Sequence, residues 1–224
     1  MRRGKKYAEA VKKYDGSVFY PLQNALDLVK TMSYAKFDES VDVSVKLNLK
    51  KSQSVRDTVV LPNQFKGEKR VLVFCKGEKE KEAQEAGAAV VGAEDLIEKI
   101  KGGWLDFDVA VATPDMMKDV GKLGMVLGRR GLMPNPKTGT VTFDLKTALA
   151  ELKKGRVEFR ADKTGVVHLA VGKVSMESGQ IAENVQAVVA EIKRKKPADA
   201  KGEFIQTISV CSTMGPGIWV KNEE

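Results

Sequence analysis

Val41-Asp42-Val43-Ser44-Val45-Lys46-Leu47-Asn48-Leu49-Lys50 alternates without a break, apolar at odd positions and polar at even ones. Successive side chains of a strand point to opposite faces, so this period of two predicts a sheet with one buried face and one wet face. Val71-Leu72-Val73-Phe74-Cys75 and Val109-Ala110-Val111-Ala112 are apolar throughout. Such runs are expected of strands covered on both sides. One chain carrying both patterns predicts two different sheets.

Working outward from residue 41, the wet sheet draws on both ends of the chain. Phe204, Ile208 and Val210 lie on one face of a run whose other face carries Thr207, Ser209 and Cys211. Val166-Val167-His168-Leu169-Ala170-Val171 reads as a third strand, and the sheet is expected to be antiparallel. Leu22, Ala25, Leu26, Val29 and Met32 form one helical stripe after Pro21, a residue favoured at helix starts. Ile181, Val185, Val188, Val189 and Ile192 form a second, with Ser178 as the expected cap. That helix ends in Lys193-Arg194-Lys195-Lys196-Pro197, where cations suit the C-terminal dipole and proline stops the helix. The same cations could instead touch phosphate, and the sequence does not choose.

The middle of the chain alternates differently. Helix-like Glu78–Ala86, the short apolar Ala88-Ala89-Val90-Val91 and helix-like Glu94–Lys101, with Leu96, Ile97 and Ile100 inward, separate the two apolar strands. An amphipathic helix over 145–154 follows. Strand, helix, strand, helix, strand predicts parallel βαβ units. The expected fold is therefore mixed α/β and α+β in two domains. Residues 1–66 and 158–224 make a discontinuous α+β domain with an open antiparallel sheet and helices. Residues 67–157 make an inserted three-layer, Rossmann-like α/β domain. Crossings near Gly67 and Gly155 would act as a hinge.

Composition narrows the partners. The 224 residues are 42% hydrophobic and 30% charged, with net charge +8 and pI near 9.3. This describes an ordinary globular protein with a bias toward anionic partners, nucleic acid first. A solubilising surface would give the same balance. Residues 67–157 hold 16 Lys+Arg against 14 Asp+Glu, and the remainder 22 against 16, which places the positive excess in the split domain. No apolar run approaches the ~20 residues of a membrane span, and no signal-peptide core follows Met1-Arg2-Arg3-Gly4-Lys5-Lys6; a cytoplasmic protein is expected. Cys75 and Cys211 sit inside strand-like runs and are expected as buried free thiols.

Catalytic patterns fail. His168 is the only histidine, so no histidine–cysteine metal cluster can be assembled, and a Gly-x-Ser-x-Gly elbow is missing. No catalytic, metal or cofactor residue is assigned. From its position alone, His168 reads as a packing or hydrogen-bonding residue. Asp106 and Asp108 fit a strand-entrance turn better than an acid/base pair. The segment over 121–140, with glycines at 121, 124, 128, 131 and 139, matches no phosphate-cradling pattern and is expected to be an ordered, basic surface loop. Lys36-Phe37-Asp38-Glu39-Ser40 and Ser212-Thr213-Met214-Gly215-Pro216-Gly217 flank the predicted strands. They offer hydroxyls, backbone N–H groups and a flat apolar ring, which suit folded RNA. Read as residues only, they also fit ordinary strand-end turns. An enzyme using the α/β domain stays an alternative, since such a fold alone implies no cofactor.

Longer stretches carry a resemblance. Phe107-Asp108-Val109-Ala110-Val111-Ala112-Thr113-Pro114-Asp115-Met116-Met117, Val120-Gly121-Lys122-Leu123-Gly124 and Gly131-Leu132-Met133-Pro134-Asn135-Pro136-Lys137-Thr138-Gly139-Thr140 resemble the signature of the universal large-subunit ribosomal protein one family, in its bacterial style. Lys36–Val43, Val59–Pro62, Gly77–Lys79, Gly155–Gly165, Val171–Lys173 and Ser212–Pro216 match in the same order. The resemblance implies a split α+β domain with an inserted α/β domain and a monomer within the ribosome. It also implies binding of large-subunit rRNA at the mobile stalk, help in releasing deacylated exit-site tRNA, and repression through an operon leader mRNA. By motif match it assigns RNA contact to Lys36, Phe37, Glu39, Ser40, Lys163, Thr164, His168, Lys173, Ser175, Thr207, Thr213, Met214, Gly215 and Pro216. Lys122, Arg129, Arg130 and Lys137 are secondary candidates. Two departures stand out: Arg129 replaces a usual proline, and Asp57 replaces a usual glycine in a shortened 50–58 stretch.

Overall fold

The computed structural model describes residues 4–49, 54–65, 67, 70–77, 79–153, 155–197 and 202–222, without the side chains of Glu94, Lys137 and Lys153. In chain order its elements are α1 (Lys5–Val11), α2 (Leu22–Met32), β1 (Ser40–Leu47), β2 (Arg56–Val60), β3 (Val71–Phe74), α3 (Lys79–Glu85), β4 (Val90–Gly92), α4 (Glu94–Lys101), β5 (Val109–Ala112), α5 (Met117–Val120), α6 (Gly124–Arg129), α7 (Leu145–Lys153), β6 (Arg156–Arg160), β7 (Val166–Lys173), α8 (Ser178–Arg194), β8 (Ile205–Ser212) and β9 (Ile218–Val220). Two compact units result, Met1–Phe65 with Glu158–Glu224, and Lys66–Val157. The expectations about Met1–Arg3, Lys50–Gln53, Glu78 and Lys154 lie outside the described residues.

In the first unit, four strands form a sheet in the order β7-β1-β8-β9, every pairing antiparallel. Val41, Val43, Val45 and Leu47 are buried, and the residues between them are half-exposed. Burying such side chains contributes roughly 1.5–3 kcal/mol each. A one-residue slip would turn all four to solvent, so the apolar period fixes the register. Helices α2 and α8 cover the inner face with Leu26, Val29, Met32, Ile181, Val185, Val188 and Ile192, all buried. Gly172 accommodates this packing, since a Cβ there would meet Ile181 at 3.0 Å.

Two polar residues tie the helical layer down. Buried Asn184 on α8 donates its amide to the carbonyls of Val171 and Asn63, each at 2.8 Å, and accepts from Asn63 N–H at 2.9 Å. Ser178, expected as a cap, makes no capping bond; Glu177 is the N-cap, and the Ser178 hydroxyl donates to Asp27 of α2 at 2.7 Å. It serves helix–helix contact instead. The basic end of α8 is largely engaged within the protein. Lys195 pairs with Asp57, Arg194 lies 3.5 Å from Glu191, and Lys196 donates to the Gly202 carbonyl at 3.2 Å.

The second unit holds a three-stranded parallel sheet, β4-β3-β5, in which the uniformly apolar β3 is buried on both faces, β5 is nearly so and the edge strand β4 is partly covered. Leu72 and Phe74 pack with Leu96, Ile97, Ile100, Met116, Leu123 and Leu127. Val71, Val73 and Cys75 pack with Ala83, Leu145, Leu149 and Leu152 on the opposite side. Three layers follow from that division. Burial pushes the Cys75 thiol up to about 11, with Glu80 adding to it. Cys211, expected to be buried, is only partly so, because it lies on the open face of the first unit's sheet.

The glycine-rich segment departs from expectation in its first half. Gly121–Leu123 is a 3₁₀ turn, α6 follows, and Leu123 and Leu127 are buried in the core. Residues 121–129 are therefore helical with an exposed side, whereas 130–140 form a loop around a 3₁₀ turn at Pro136–Thr138, as expected. Asp106 and Asp108 both engage Arg70, whose N–H donates to Asp108 at 2.9 Å, which fastens the entrance of β3.

Candidate nucleic-acid interface

The residues assigned from sequence gather at two ends of one sheet face. The first group forms where β1 begins and β8 ends. Glu39 is fully buried between the two flanking loops. One carboxylate oxygen accepts from Ser33 Oγ and Ala35 N–H at 2.9 Å and from Tyr34 N–H at 3.2 Å; the other accepts from Met214 N–H at 3.0 Å. Burial alone would raise this carboxyl. The donors from Met214, Ala35 and Ser33, with the Ser212 hydroxyl close by, outweigh it and hold the pKa at about 2. The Ser212 hydroxyl contributes by proximity only, since it makes no hydrogen bond of regular geometry.

Further bonds close the same knot. Tyr34 Oη donates to the Met214 carbonyl at 2.7 Å. Ser40 N–H donates to Thr213 Oγ1 and Thr213 N–H to the Ser40 carbonyl, both at 3.0 Å. Asp38 accepts from the Ser175 hydroxyl at 2.9 Å and its N–H at 3.2 Å, with Lys173 Nζ at 3.5 Å. The Ser175 hydroxyl bond is the main cause that holds the Asp38 carboxyl below its ordinary value, with Lys173 adding to it. Lys36, Phe37, Ser40, Lys173, Ser175, Thr213, Met214, Gly215 and Pro216 thus belong to one cluster. Phe37 is 56% and Met214 50% exposed, so two large apolar groups face solvent on a braced backbone. Gly215 lies so close to Ser212 that a Cβ would fall 2.5 Å from its hydroxyl. Glu39 itself, expected as a contact residue, is enclosed and acts by positioning the others.

The second group lies near the far end of β1. Asp162 accepts from the N–H groups of Thr164 and Val166, each at 2.8 Å, and builds the β6–β7 turn that presents Lys163 and Thr164. Those bonds, the Val166 one foremost, lower the Asp162 carboxyl. Gly165 adopts φ +79°, and a Cβ there would meet the Leu47 carbonyl at 3.0 Å. Lys46 pairs across the sheet with Thr207, and its ammonium donates to the Thr164 carbonyl. Along β1 this end is about 20 Å from Ser40.

His168 stands between the two groups. Its Nδ1 shares a 2.9 Å hydrogen bond with Ser44 Oγ, its cross-strand neighbour. Asp42, Ser44, Lys46 and Ser209 complete the face, and none of them was assigned from sequence. The signal was present, because even positions of an alternating strand are the wet ones. Among the described residues no group of three or more His, Cys, Asp or Glu could hold a metal ion. No described helix is long and apolar enough to cross a membrane.

The secondary candidates lie in the other unit. Lys122 Nζ is 3.0 Å from Asp119 and, through that hydrogen bond, lowers the Asp119 carboxyl. Arg129 and Arg130 are exposed at the end of α6, and the Lys137 side chain lies outside the described residues.

Comparisons with known proteins bear on this geometry. The model of the ribosomal protein L1p/L10e family matches residues 29–216. A Treponema denticola protein named large ribosomal subunit protein uL1 is 68% identical over 220 residues, covering 98% of this chain and 97% of its own length. Proteins of the same name from Treponema pallidum and Borrelia hermsii are 63% and 57% identical, covering 100% and 97% of both chains respectively. With the matched span running from within α2 through β1 and the central strands to the Thr213–Pro216 loop, the chain belongs to the ribosomal protein L1p/L10e family.

Proposed function

We propose that the open sheet face and its two flanking clusters bind a folded segment of large-subunit rRNA, and that the chain serves as a structural constituent of the large ribosomal subunit. The observation that carries this is the Glu39 knot, which joins Lys36–Ser40 to Thr213–Pro216 across more than 170 residues of chain. It leaves Phe37 and Met214 exposed on a fixed backbone. A braced surface of hydroxyls, N–H groups and two apolar side chains suits ribose and base edges, and the positive charge balance supplies phosphate attraction.

Two finer roles rest on the family resemblance and on the chain crossing twice between its units. In one, the inserted unit moves about Gly67 and Gly155 as deacylated tRNA leaves the exit site. In the other, the same sheet face takes an operon leader mRNA that imitates the rRNA site.

The test is a filter-binding titration of the full chain with a stalk-region transcript of large-subunit rRNA at one salt concentration. Phe37→Ala and Met214→Ala should each weaken binding by about 1–2 kcal/mol, comparable to losing one good contact. Unchanged affinity in both variants overturns the surface assignment. Sedimentation with large subunits separates ribosomal incorporation from binding to mRNA alone.

A further inference from the structure

The sheet face continues past the residues placed so far. Ser44 of β1 lies opposite His168 of β7 and Ser209 of β8, and Ser209 lies opposite Trp219 of β9. Direct cross-strand partners share a face. His168, Ser44, Ser209 and Trp219 therefore form one row across four strands, about 14 Å wide at the usual strand spacing. Trp219 is 39% exposed, while its neighbours Ile218 and Val220 are buried toward the helices.

Beside it stands a second aromatic on a built support. Phe19 is 46% exposed, and its ring centroid lies 6.2 Å from that of Trp219 in a tilted arrangement. Tyr20 N–H donates to the Trp219 carbonyl, and Lys221 N–H to the Tyr20 carbonyl, both at 2.9 Å, so this segment is stitched to the edge of β9. Tyr14 Oη donates to the Gly217 carbonyl at 3.0 Å, and Tyr20 Oη receives the Asp15 N–H at 3.1 Å. Two tyrosine hydroxyls thus hold a turn whose product is an exposed aromatic pair. Leaving two large rings in water forgoes the stabilisation that burial would supply.

We infer that Trp219, supported by Phe19, is a stacking site for an unpaired nucleobase of the RNA bound on the sheet face. This rests on the RNA reading above. The occupant follows from the surroundings. The aromatic pair ends a row of two hydroxyls and an imidazole that crosses the same face, and the cluster around Phe37 and Met214 lies further along β1 and β8 on that face, past Asp42 and Cys211. Every base has a π-face, and stacking on a solvent-facing aromatic of a sheet is how such surfaces take single-stranded nucleotides. Asp42 lies on the same face nearer the Thr213 loop, so phosphate is better met at Lys46 and Lys173, and the Trp219 edge is left to a base.

The experiment uses the full chain carrying Trp104→Phe, so that Trp219 is the single tryptophan, with the same rRNA transcript as probe. Binding should quench Trp219 emission in a saturable titration that follows the filter-binding isotherm. Trp219→Ala should weaken affinity roughly 5- to 30-fold with an unchanged salt slope, and Trp219→Phe should restore most of it. Phe19→Ala should cause a smaller loss in the same direction, and it stands in for Trp219→Ala if that variant does not fold. Absence of quenching together with full affinity in Phe19→Ala and Trp219→Ala overturns the inference, and continued loss in Phe37→Ala and Met214→Ala shows that the RNA reading survives it. Full affinity in all four variants overturns both. Full RNA affinity with impaired retention on large subunits in Trp219→Ala overturns the stacking site in favour of a protein neighbour.

Discussion

The two main sheets of this chain differ in how many faces their helices cover. In the four-stranded sheet, α2 and α8 pack on one side, and the other side is a mosaic of Ser44, His168, Ser209, Lys46 and Trp219. In the three-stranded sheet, Leu72 and Phe74 face one core while Val71 and Val73 face another, so the central strand leaves no residue for recognition and its neighbours leave only partly covered apolar ones. Whatever the second unit offers a partner must come from its helices and turns, such as the exposed side of α6. A sheet open on one side keeps a rigid platform and a polar surface together, whereas a doubly covered sheet keeps only rigidity.

Each unit contains one of the two tryptophans, Trp104 and Trp219, so the comparison can be tested unit by unit. The largest expected effect is in the covered sheet. Phe74→Ala removes a fully buried ring and should destabilise the second unit by roughly 3–5 kcal/mol, seen as earlier urea unfolding by Trp104 emission. Trp219 emission and rRNA affinity should stay unchanged within about twofold. A parallel loss of RNA affinity would break the separation between the regions.

Glu39→Gln comes next. The carboxylate accepts four bonds and is enclosed, and a neutral amide would leave donors facing an N–H₂ group. The first unit should lose about 2–3 kcal/mol by Trp219 emission, with rRNA affinity falling alongside and Trp104 silent. A variant that binds RNA normally despite unfolding earlier would show that the knot serves stability alone.

Acid sharpens the same point. Glu39 has a folded pKa of about 2 against an ordinary 4.5, so the unfolded chain binds the proton first. Its stabilising contribution is complete above about pH 4.5 and fades as pH falls toward 2. Urea midpoints of the first unit measured from pH 5 down to 2.5 should therefore decline, and Glu39→Gln should flatten that decline. An equally steep decline in the variant would assign acid sensitivity to Asp38 and Asp162, which are also depressed.

The smallest effect concerns Asp57, which the resemblance marks as a departure from a usual glycine. Its pairing with Lys195 is partly exposed, and Asp57→Gly should lower stability by about 1 kcal/mol or less, most of it suppressed at 1 M salt. No change in RNA affinity is expected.

Much of this was legible in the chain. The alternation over Val41–Leu47 and the continuous runs at Val71–Phe74 and Val109–Ala112 gave the correct strand types, because burial on one or two faces leaves a local period. The helical stripes after Pro21 and Ser178 were equally plain. Ser178 itself misled, since a serine at a helix start caps by default and nothing local reveals Asp27 across the layer. The glycine-rich segment misled for a related reason. Glycine spacing suggested a loop throughout, whereas Leu123 and Leu127 enter the core and make residues 121–129 helical. Glu39 looked like a surface acid because its partners, Ser33, Tyr34, Ala35 and Met214, are backbone and hydroxyl donors without a pattern of their own.

By itself the amino-acid order determined which side chains share a face, because that follows from the 2.0 and 3.6 periods of neighbouring residues. It also set the charge balance and the family likeness. Only the tertiary structure decided that Glu39 closes on Met214, that His168 finds Ser44, and that Trp219 falls in line with both. Those meetings depend on which strands become neighbours, and strand order is chosen by the packing of the whole sheet against α2 and α8.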